Sequence, residues 1–429
     1  MHAYDDCSHD ATPEIRSVVE HQQAVAALFG NPRPVLRPLT DVHGAALARE
    51  IVAPISLPPF DNSAMDGFAV RSADFVDASP QHPVTFPVTD DIPAGRTDVP
   101  VLAAGTAHRI MTGAPVPSGA DVVIPVEAAQ SALGMSRPPA RSAESAVTIS
   151  SALPAGRNIR RVGSDITAGA PVLAAGTVIG AAQIGILAAL GFTEVPVYAQ
   201  QRVAILSTGS ELVRPGSPLL PGQIYESNGA MLTAACIEAG AQAQHMHFVP
   251  DDIGEFLRRL REISVDADLI ITSGGVSAGA YEVVKEALTE VGGVEFVKVA
   301  MQPGKPQGCG RFRFADGQSI PIITVPGNPV SSMVSFEVFI REPLRAAMGL
   351  PIRRDRIRAR LDTAVTSPPG KRQFQRGVFV DRPDGPWITP IGPPASHHLS
   401  NLAHADVLVD IPADAVDLAA GDEIEVIRI

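Results

Sequence analysis

The sequence predicts a multidomain fold that combines α/β and all-β parts, and three patterns predict it. Residues 202–348 repeat a strand-then-helix order, the mark of an α/β domain with a mostly parallel sheet. Residues from about 57 to 149 break into short β-like runs separated by Gly and Pro, which reads as an all-β insert. Beyond Pro351 the pattern is β again. It closes on Asp422-Glu423-Ile424-Glu425-Val426-Ile427, whose alternation suits a small β-barrel or sandwich.

Each element has a local reason. Residues 1–13 read as disordered, and 13–29 as a helix, because Ile15, Val18, Val19, Val25, Ala26 and Leu28 fall largely on one face. In the insert, 84–88 and 121–126 read as strands. The heptapeptide Pro-Val-Leu-Ala-Ala-Gly-Thr occurs at 100–106 and again at 171–177, and each copy reads as a strand ending in a Gly turn. In the α/β region, 202–207, 244–249, 269–272 and 320–325 read as strands. Helices are expected at 230–239 with Gly240 as C-cap, at 251–263 opened by Asp251-Asp252, at 281–291 and at 330–347. Pro343 should kink or interrupt the last one.

Composition bounds the function. The 429 residues are 45% hydrophobic and 19% charged, enough to bury several cores. A net charge of -12 argues against nucleic acid or an anionic membrane as partner, though not against a small anionic ligand. Cys7, Cys236 and Cys309 are too few and scattered for a disulfide framework or a zinc site. Met1 to Asp10 shows no basic-then-apolar signal pattern. The longest apolar stretch, 178–192, contains Gln183 and three glycines and falls short of a membrane span, so a cytoplasmic location is expected.

Several loops carry candidate chemistry. Pro58-Pro59-Phe60-Asp61-Asn62-Ser63-Ala64-Met65-Asp66-Gly67 packs two carboxylates, an amide and a hydroxyl onto an ordered turn. It suits a shelf of oxygen ligands, and equally an Asx-rich turn bonded to its own backbone. Ser207-Thr208-Gly209-Ser210-Glu211, Ser273-Gly274-Gly275-Val276-Ser277 and Pro326-Gly327-Asn328-Pro329-Val330-Ser331 each follow a predicted strand. In an open parallel sheet such loops meet at the carboxyl edge, where ligands bind. Their glycines, hydroxyls and helix starts describe a cradle for a phosphorylated ligand. None is a P-loop, and no Gly-x-Gly-x-x-Gly follows the first strand, so neither that NTPase class nor an NAD enzyme is indicated. Glu226 and Glu282 stand at helix starts near these loops, as dipole partners or as ligands of Mg²⁺. Lysine is rare in this chain. Lys298 and Lys305 lie close together in a Gly-Pro-rich stretch and suit an oxyanion, or are simply solvated. His397 and His398 read as solvated neighbours rather than a metal site.

Taken in order, Asp61-Asn62-Ser63-Ala64-Met65-Asp66-Gly67, Met111-Thr112-Gly113-Ala114-Pro115 with Gly119-Ala120-Asp121, and Gly156-Arg157-Asn158-Ile159-Arg160 begin a series of motifs. Ser207-Thr208-Gly209-Ser210-Glu211-Leu212, the Ser273 loop, Pro303-Gly304-Lys305-Pro306 and the Pro326 loop complete it. From about residue 14 to the C-terminus the chain resembles the molybdopterin molybdenumtransferases, the family of MoeA and the gephyrin E-domain.

The resemblance implies an elongated homodimer with four domains per chain. These are a helical linker domain (14–56 with 154–200), an all-β insert (57–153), a three-layer αβα molybdopterin-binding domain (201–350) and a C-terminal β-barrel (351–429). It implies conversion of adenylylated molybdopterin and molybdate into molybdenum cofactor and AMP with Mg²⁺. Partners would be the adenylyltransferase that supplies the substrate, and acceptor molybdoenzymes or their chaperones. By position, it implies catalytic roles for Asp61, Glu226, Glu282, Lys298 and Lys305, with Glu226 and Glu282 on the metal. Substrate contacts would come from Thr112, Ser207, Thr208, Gly209, Ser273, Gly274, Gly275, Ser277, Pro326, Gly327, Asn328 and Ser331. Arg376, in Phe374-Gln375-Arg376-Gly377, and Ser396, in Ala395-Ser396-His397-His398, would add contacts from the barrel. In the dimer, Asp61 and Thr112 would act in trans. Gln183 and Ala280 stand where the family usually has an acid, Gln302 where it has a lysine, and Glu226 and Glu282 where Asp is usual. Those departures leave room for a scaffold-like or pterin-holding paralog, and a tungstate preference is invisible in sequence.

Overall fold

The computed structural model describes residues 15–131, 146–249, 252–275, 283–314 and 317–429. The chain divides into two compact units. One comprises Met1–Arg37, Val42–Ala48 and Pro196–Ile429; the other comprises Pro38–Asp41 and Arg49–Val195.

The first unit is built on a seven-stranded sheet. Its strand order is Ile15–Arg16, Val294–Val299, Pro306–Arg313, Ser319–Val325, Leu269–Ser273, Arg202–Thr208, Gln242–Val249. The sheet is mixed, since Pro306–Arg313 runs antiparallel to both neighbours while the other pairings are parallel. Both faces are covered, which is why the central strands read as unbroken apolar runs. Val203, Ile205, Ile271 and Ile323 pack with Val25, Leu232 and Val334 on one side. Ala204, Leu206, Ile270 and Ile322 pack with Phe256, Leu260 and Leu288 on the other.

Three strands of this sheet escaped the sequence reading, one of them Ile15–Arg16, expected within the first helix. Val294–Val299 and Pro306–Arg313 flank the stretch taken for one Gly-Pro-rich loop. Pro306–Arg313 looks a poor strand because of its glycines, yet a Cβ on Gly310 would lie 2.0 Å from the Gly293 carbonyl oxygen. Close backbone approach, not turn formation, requires glycine there.

The N-terminal helix is shorter than expected. It runs Val18–Ala26 with Ser17 as N-cap in a capping box with Glu20, while Ile15 is on a strand and Val19 is exposed. Asp252 caps Ile253–Ser264 by accepting from Glu255 N at 2.7 Å, and Asp251 lies outside the described residues. The long helix after Asn328 is interrupted upstream of Pro343, as Pro329–Ser335, a π-helical turn Phe336–Ile340, then Arg341–Ala346. Proline removes a donor and crowds the carbonyl four residues back, and a wider turn there relieves both.

Five strands close a barrel in the C-terminal part: Arg372–Arg382, Gly385–Pro390, Arg356–Leu361, Glu423–Arg428 and Val407–Ile411, with the last pairing back to the first. Leu361, Ile388, Val409, Ile424 and Val426 fill it. The barrel, and not the sandwich, is the outcome. Met301–Gln302 adds in parallel to Arg372–Gln373, which fixes the turn after Val299 against the barrel.

The second unit holds a six-stranded mixed sheet, ordered Val122–Pro125, Gly67–Val70, Ala107–Ile110, Val84–Ile92, Ala146–Ile149, Ala129–Ser131. Phe68, Val70, Phe86 and Ile124 bury one face and Ala69, Ile110 and Val123 the other. The repeated heptapeptide has two fates. The second copy contains strand Pro171–Leu173, paired with Ile51–Val52, whereas the first copy is not a strand. A partner strand, not local sequence, decides between them.

Candidate functional site

Strands Arg202–Thr208, Leu269–Ser273 and Ser319–Val325 are adjacent and parallel, with Ser207 opposite Ser273 and Ser273 opposite Val325. Their carboxyl ends therefore coincide, and the three predicted loops open onto one cleft of ≈ 970 Å³. Its lining includes Ser207, Thr208, Gly209, Glu226, Ser273, Gly274, Gly275, Lys305, Pro326, Gly327, Asn328, Ser331 and Ser396. Glu282 and Ser277 lie outside the described residues.

The hydroxyls in this cleft mainly hold the loops together. Ser207 Oγ donates to Glu226 Oε1 at 2.7 Å, and Gly229 N donates to the same oxygen at 2.6 Å. Glu226 is buried, and it answers the N-terminus of helix Asn228–Glu238. Its Oε2 lies 3.7 Å from His245 Nε2. Asn228, which sequence reasoning passed over, ties two loops by donating to Ser273 Oγ at 2.8 Å and to the Gly327 carbonyl at 2.6 Å. A polar residue at the first position of a buried helix was the signal for it. Gly274 has φ of 96°, and a Cβ on it would lie 2.6 Å from the Thr208 carbonyl oxygen, so only glycine lets those loops meet.

What faces outward is different. The helix beginning at Pro329 has no carboxylate in its first turn, and its N-cap Asn328 makes no side-chain cap bond and is exposed. Its positive end therefore meets no neutralising side chain. The loop Pro394–His397 reaches the cleft from the barrel, and its Ser396 carbonyl accepts from Val330 N at 3.1 Å. Tyr225 and Lys371, for which no role had been expected, also line the cleft, as do Glu211 of the Ser207 loop, Gln302 at the family's lysine position and His397 of the Ser396 segment.

Four expected site residues stand elsewhere. Lys298 is exposed on strand Val294–Val299 and does not line the cleft, because strand alternation buries Val299 and turns Lys298 outward. Arg376 is 1% exposed beneath the Pro394–His397 loop, where Nη2 donates to the Pro393 carbonyl. Its Nε and Nη1 are buried without an acceptor, and burial holds its pKa below the usual arginine value. Asp61 and Thr112 belong to the second unit. Asp61 accepts from Val162 N at 2.8 Å and from Arg161 at 2.6 Å, contacts that hold its pKa below the usual carboxylate range. Asp66 likewise takes the Thr112 N–H and hydroxyl at 2.6 and 2.7 Å. The Asx-turn bonds come from Asn62 and Ser63, while both aspartates reach across to other segments.

Residues 16–191 match the MoeA N-terminal region (domain I and II), 204–346 the probable molybdopterin binding domain, and 358–429 the MoeA C-terminal region (domain IV). The molybdopterin molybdenumtransferase 2 of Mycobacterium tuberculosis is 52% identical over 419 residues, spanning 96% of this chain and 99% of the relative. The chain belongs to the MoeA family of molybdopterin molybdenumtransferases. A molybdopterin molybdenumtransferase of Synechococcus elongatus is 35% identical over 91% of this chain and 93% of its own. The molybdopterin biosynthesis MoeA protein of Pyrococcus horikosii has 29% sequence identity and a TM-score of 0.76, covering 97% of this chain and 99% of its own. No helix among the described residues is long and apolar enough to cross a membrane.

Proposed function

We propose that this chain inserts molybdate into adenylylated molybdopterin, releasing AMP and molybdenum cofactor. The observation that carries the reading is the convergence of three Gly-containing strand-end loops, a helix start without a neutralising carboxylate and Lys305 on one cleft of a MoeA-family chain. Phosphate oxygens suit the Pro329 helix start, and the Lys305 ammonium offsets charge as the phosphoanhydride breaks. Ser396, which lines the cleft, suits the oxyanion, whereas Arg376 is enclosed and supports the neighbouring loop through the Pro393 carbonyl.

Among the described residues no group of three or more His, Cys, Asp or Glu forms a metal cluster. Mg²⁺ needs fewer, because it keeps waters and takes phosphate oxygens beside one or two carboxylates. The Oε2 of Glu226 fits that demand, with Glu282 as the second expected ligand. When bound, the cation would supply charge neutralisation at the phosphates.

The same reading divides the chain into domains 14–56 with 154–200, 57–153, 201–350 and 351–429, close to the limits of the matched family regions. It makes the chain a cytoplasmic homodimer in which Asp61 and Thr112 serve the partner's cleft. It receives substrate from the adenylyltransferase and delivers cofactor to molybdoenzymes or their chaperones. The scaffold reading is not favoured, because relatives at 52% and 35% identity are named as transferases.

Incubation of the full chain with adenylylated molybdopterin, Mg²⁺ and molybdate is expected to release AMP in a molybdate-dependent way. Pterin binding without AMP release, under conditions where a relative turns over, would sink the proposal and restore the scaffold.

A further inference from the structure

The chain has only four lysines, and two of them, Lys305 and Lys371, line the same cleft. All side-chain ion pairs among the described residues use arginine or histidine, and neither of these lysines has a carboxylate partner there. Arg372, next to Lys371, shows the contrast: it is clamped to Asp410 by bonds of 2.6 and 2.5 Å. Lys371 is brought to the cleft by the register in which Met301 pairs with Arg372 and Gln302 with Gln373, and Arg372 N donates to the Ala300 carbonyl at 3.0 Å. The strand that Lys371 immediately precedes is therefore bonded to the same turn that carries Lys305.

Gln302, paired with Gln373 in the same register, is also cleft-lining. Its orientation is set from inside the barrel. Gln375 Nε2 donates to Gln373 Oε1 at 2.6 Å, and Gln373 Nε2 donates to Gln302 Oε1 at 3.0 Å. Gln373 and Gln375 are buried, so this row of amides has little freedom to turn round. With its carbonyl oxygen occupied, Gln302 keeps its NH₂ group as a neutral donor in the cleft that the two lysines line. The cleft's carboxylates, Glu226 and Glu211, are carried by other elements, near the Ser207–Gly209 loop.

We infer that Lys371, Lys305 and the amide of Gln302, with Gln373 as its positioning residue, form a subsite for a tetrahedral oxyanion. The inference rests on the proposed function and assigns ligand contacts on the barrel side of its cleft. Two sources share this chemistry, the nucleotide phosphate and molybdate.

Calorimetric titration of the full chain with AMP and, separately, with molybdate at low salt tests it. Lys371→Met is expected to weaken one of the two anions by about ten- to a hundredfold, the range for a lost charge-assisted contact. Lys371→Arg should recover part of that loss, and Lys285→Met, an exposed helix lysine, should leave both titrations unchanged. The anion affected identifies the source. Gln302→Leu and Gln373→Leu should weaken the same anion, and the double variant should be no weaker than either single one, because both remove one contact. Equal melting temperatures exclude a folding defect. Unchanged binding of both anions by Lys371→Met overturns the lysine assignment, and additive losses at 302 and 373 overturn the relay. If the unaltered chain binds neither anion, the proposed function fails as well.

Discussion

His21 and Lys305 show how a single side chain is fixed by its surroundings. His21 is fully buried with both ring nitrogens unpartnered, edge-on to Phe339 at 4.6 Å between ring centroids. Burial, with Arg16 nearby, pushes its pKa down to about 4 from 6.5. Below pH 6.5 the unfolded chain takes up a proton that the folded chain accepts only near pH 4. Stability therefore falls as pH drops through that window, by about 3 kcal/mol in all. His21→Leu should flatten this dependence, as measured by denaturant unfolding at pH 7 and pH 5; an unchanged slope would assign the acid sensitivity to other groups. Lys305 is exposed in the cleft, so its replacement bears on the ligand and not on the fold. Lys305→Met should weaken binding of AMP or of molybdate by about 1–3 kcal/mol at unchanged melting temperature, and full-strength binding of both would return Lys305 to the surface.

At the scale of elements, the cleft depends on loops that approach more closely than side chains allow. Gly274→Ala places a methyl against the Thr208 carbonyl and strains a positive φ, so it should lower stability by about 1–3 kcal/mol. Chemical denaturation checks this, and a neutral result would mean that the loops separate easily. Glu226 does two things that substitution can part. Glu226→Gln keeps an acceptor for Ser207 and Gly229 N, so the fold should hold while turnover falls if the charge is needed. Glu226→Ala should also lose the helix cap, about 0.5–2 kcal/mol. The sequence made the three strand-end loops legible because each follows an apolar strand run with glycine and hydroxyl residues, and the Pro326 loop also opens a helix. Asn228 carried a signal only in its place at a buried helix start, and Lys371 was not shown as a site residue, since what brings it to the cleft is inter-strand register. Strands 294–299 and 306–313 stayed hidden for the same reason, and with them the outward turn of Lys298.

For the whole molecule, the ordered motifs announced the family, and the α/β region and closed barrel follow from sheet periodicity. Burial depth was not legible. Arg376 looks like any exposed arginine in the sequence, yet it is enclosed with two idle donors. The assembly is open to experiment: if Asp61 and Thr112 serve a partner's cleft, a variant that is a folded monomer by light scattering should lose activity, and full activity would confine those residues to their local bonds. The central claim is that the strand-end cleft binds the nucleotide phosphate of the substrate. A crystal of the full chain soaked with AMP and Mg²⁺ tests it most directly. The account predicts phosphate density among Gly275, Gly327, Asn328 and Lys305, with the cation reaching Glu226. Phosphate bound anywhere outside this cleft, or AMP absent from it at saturating concentration, would contradict it.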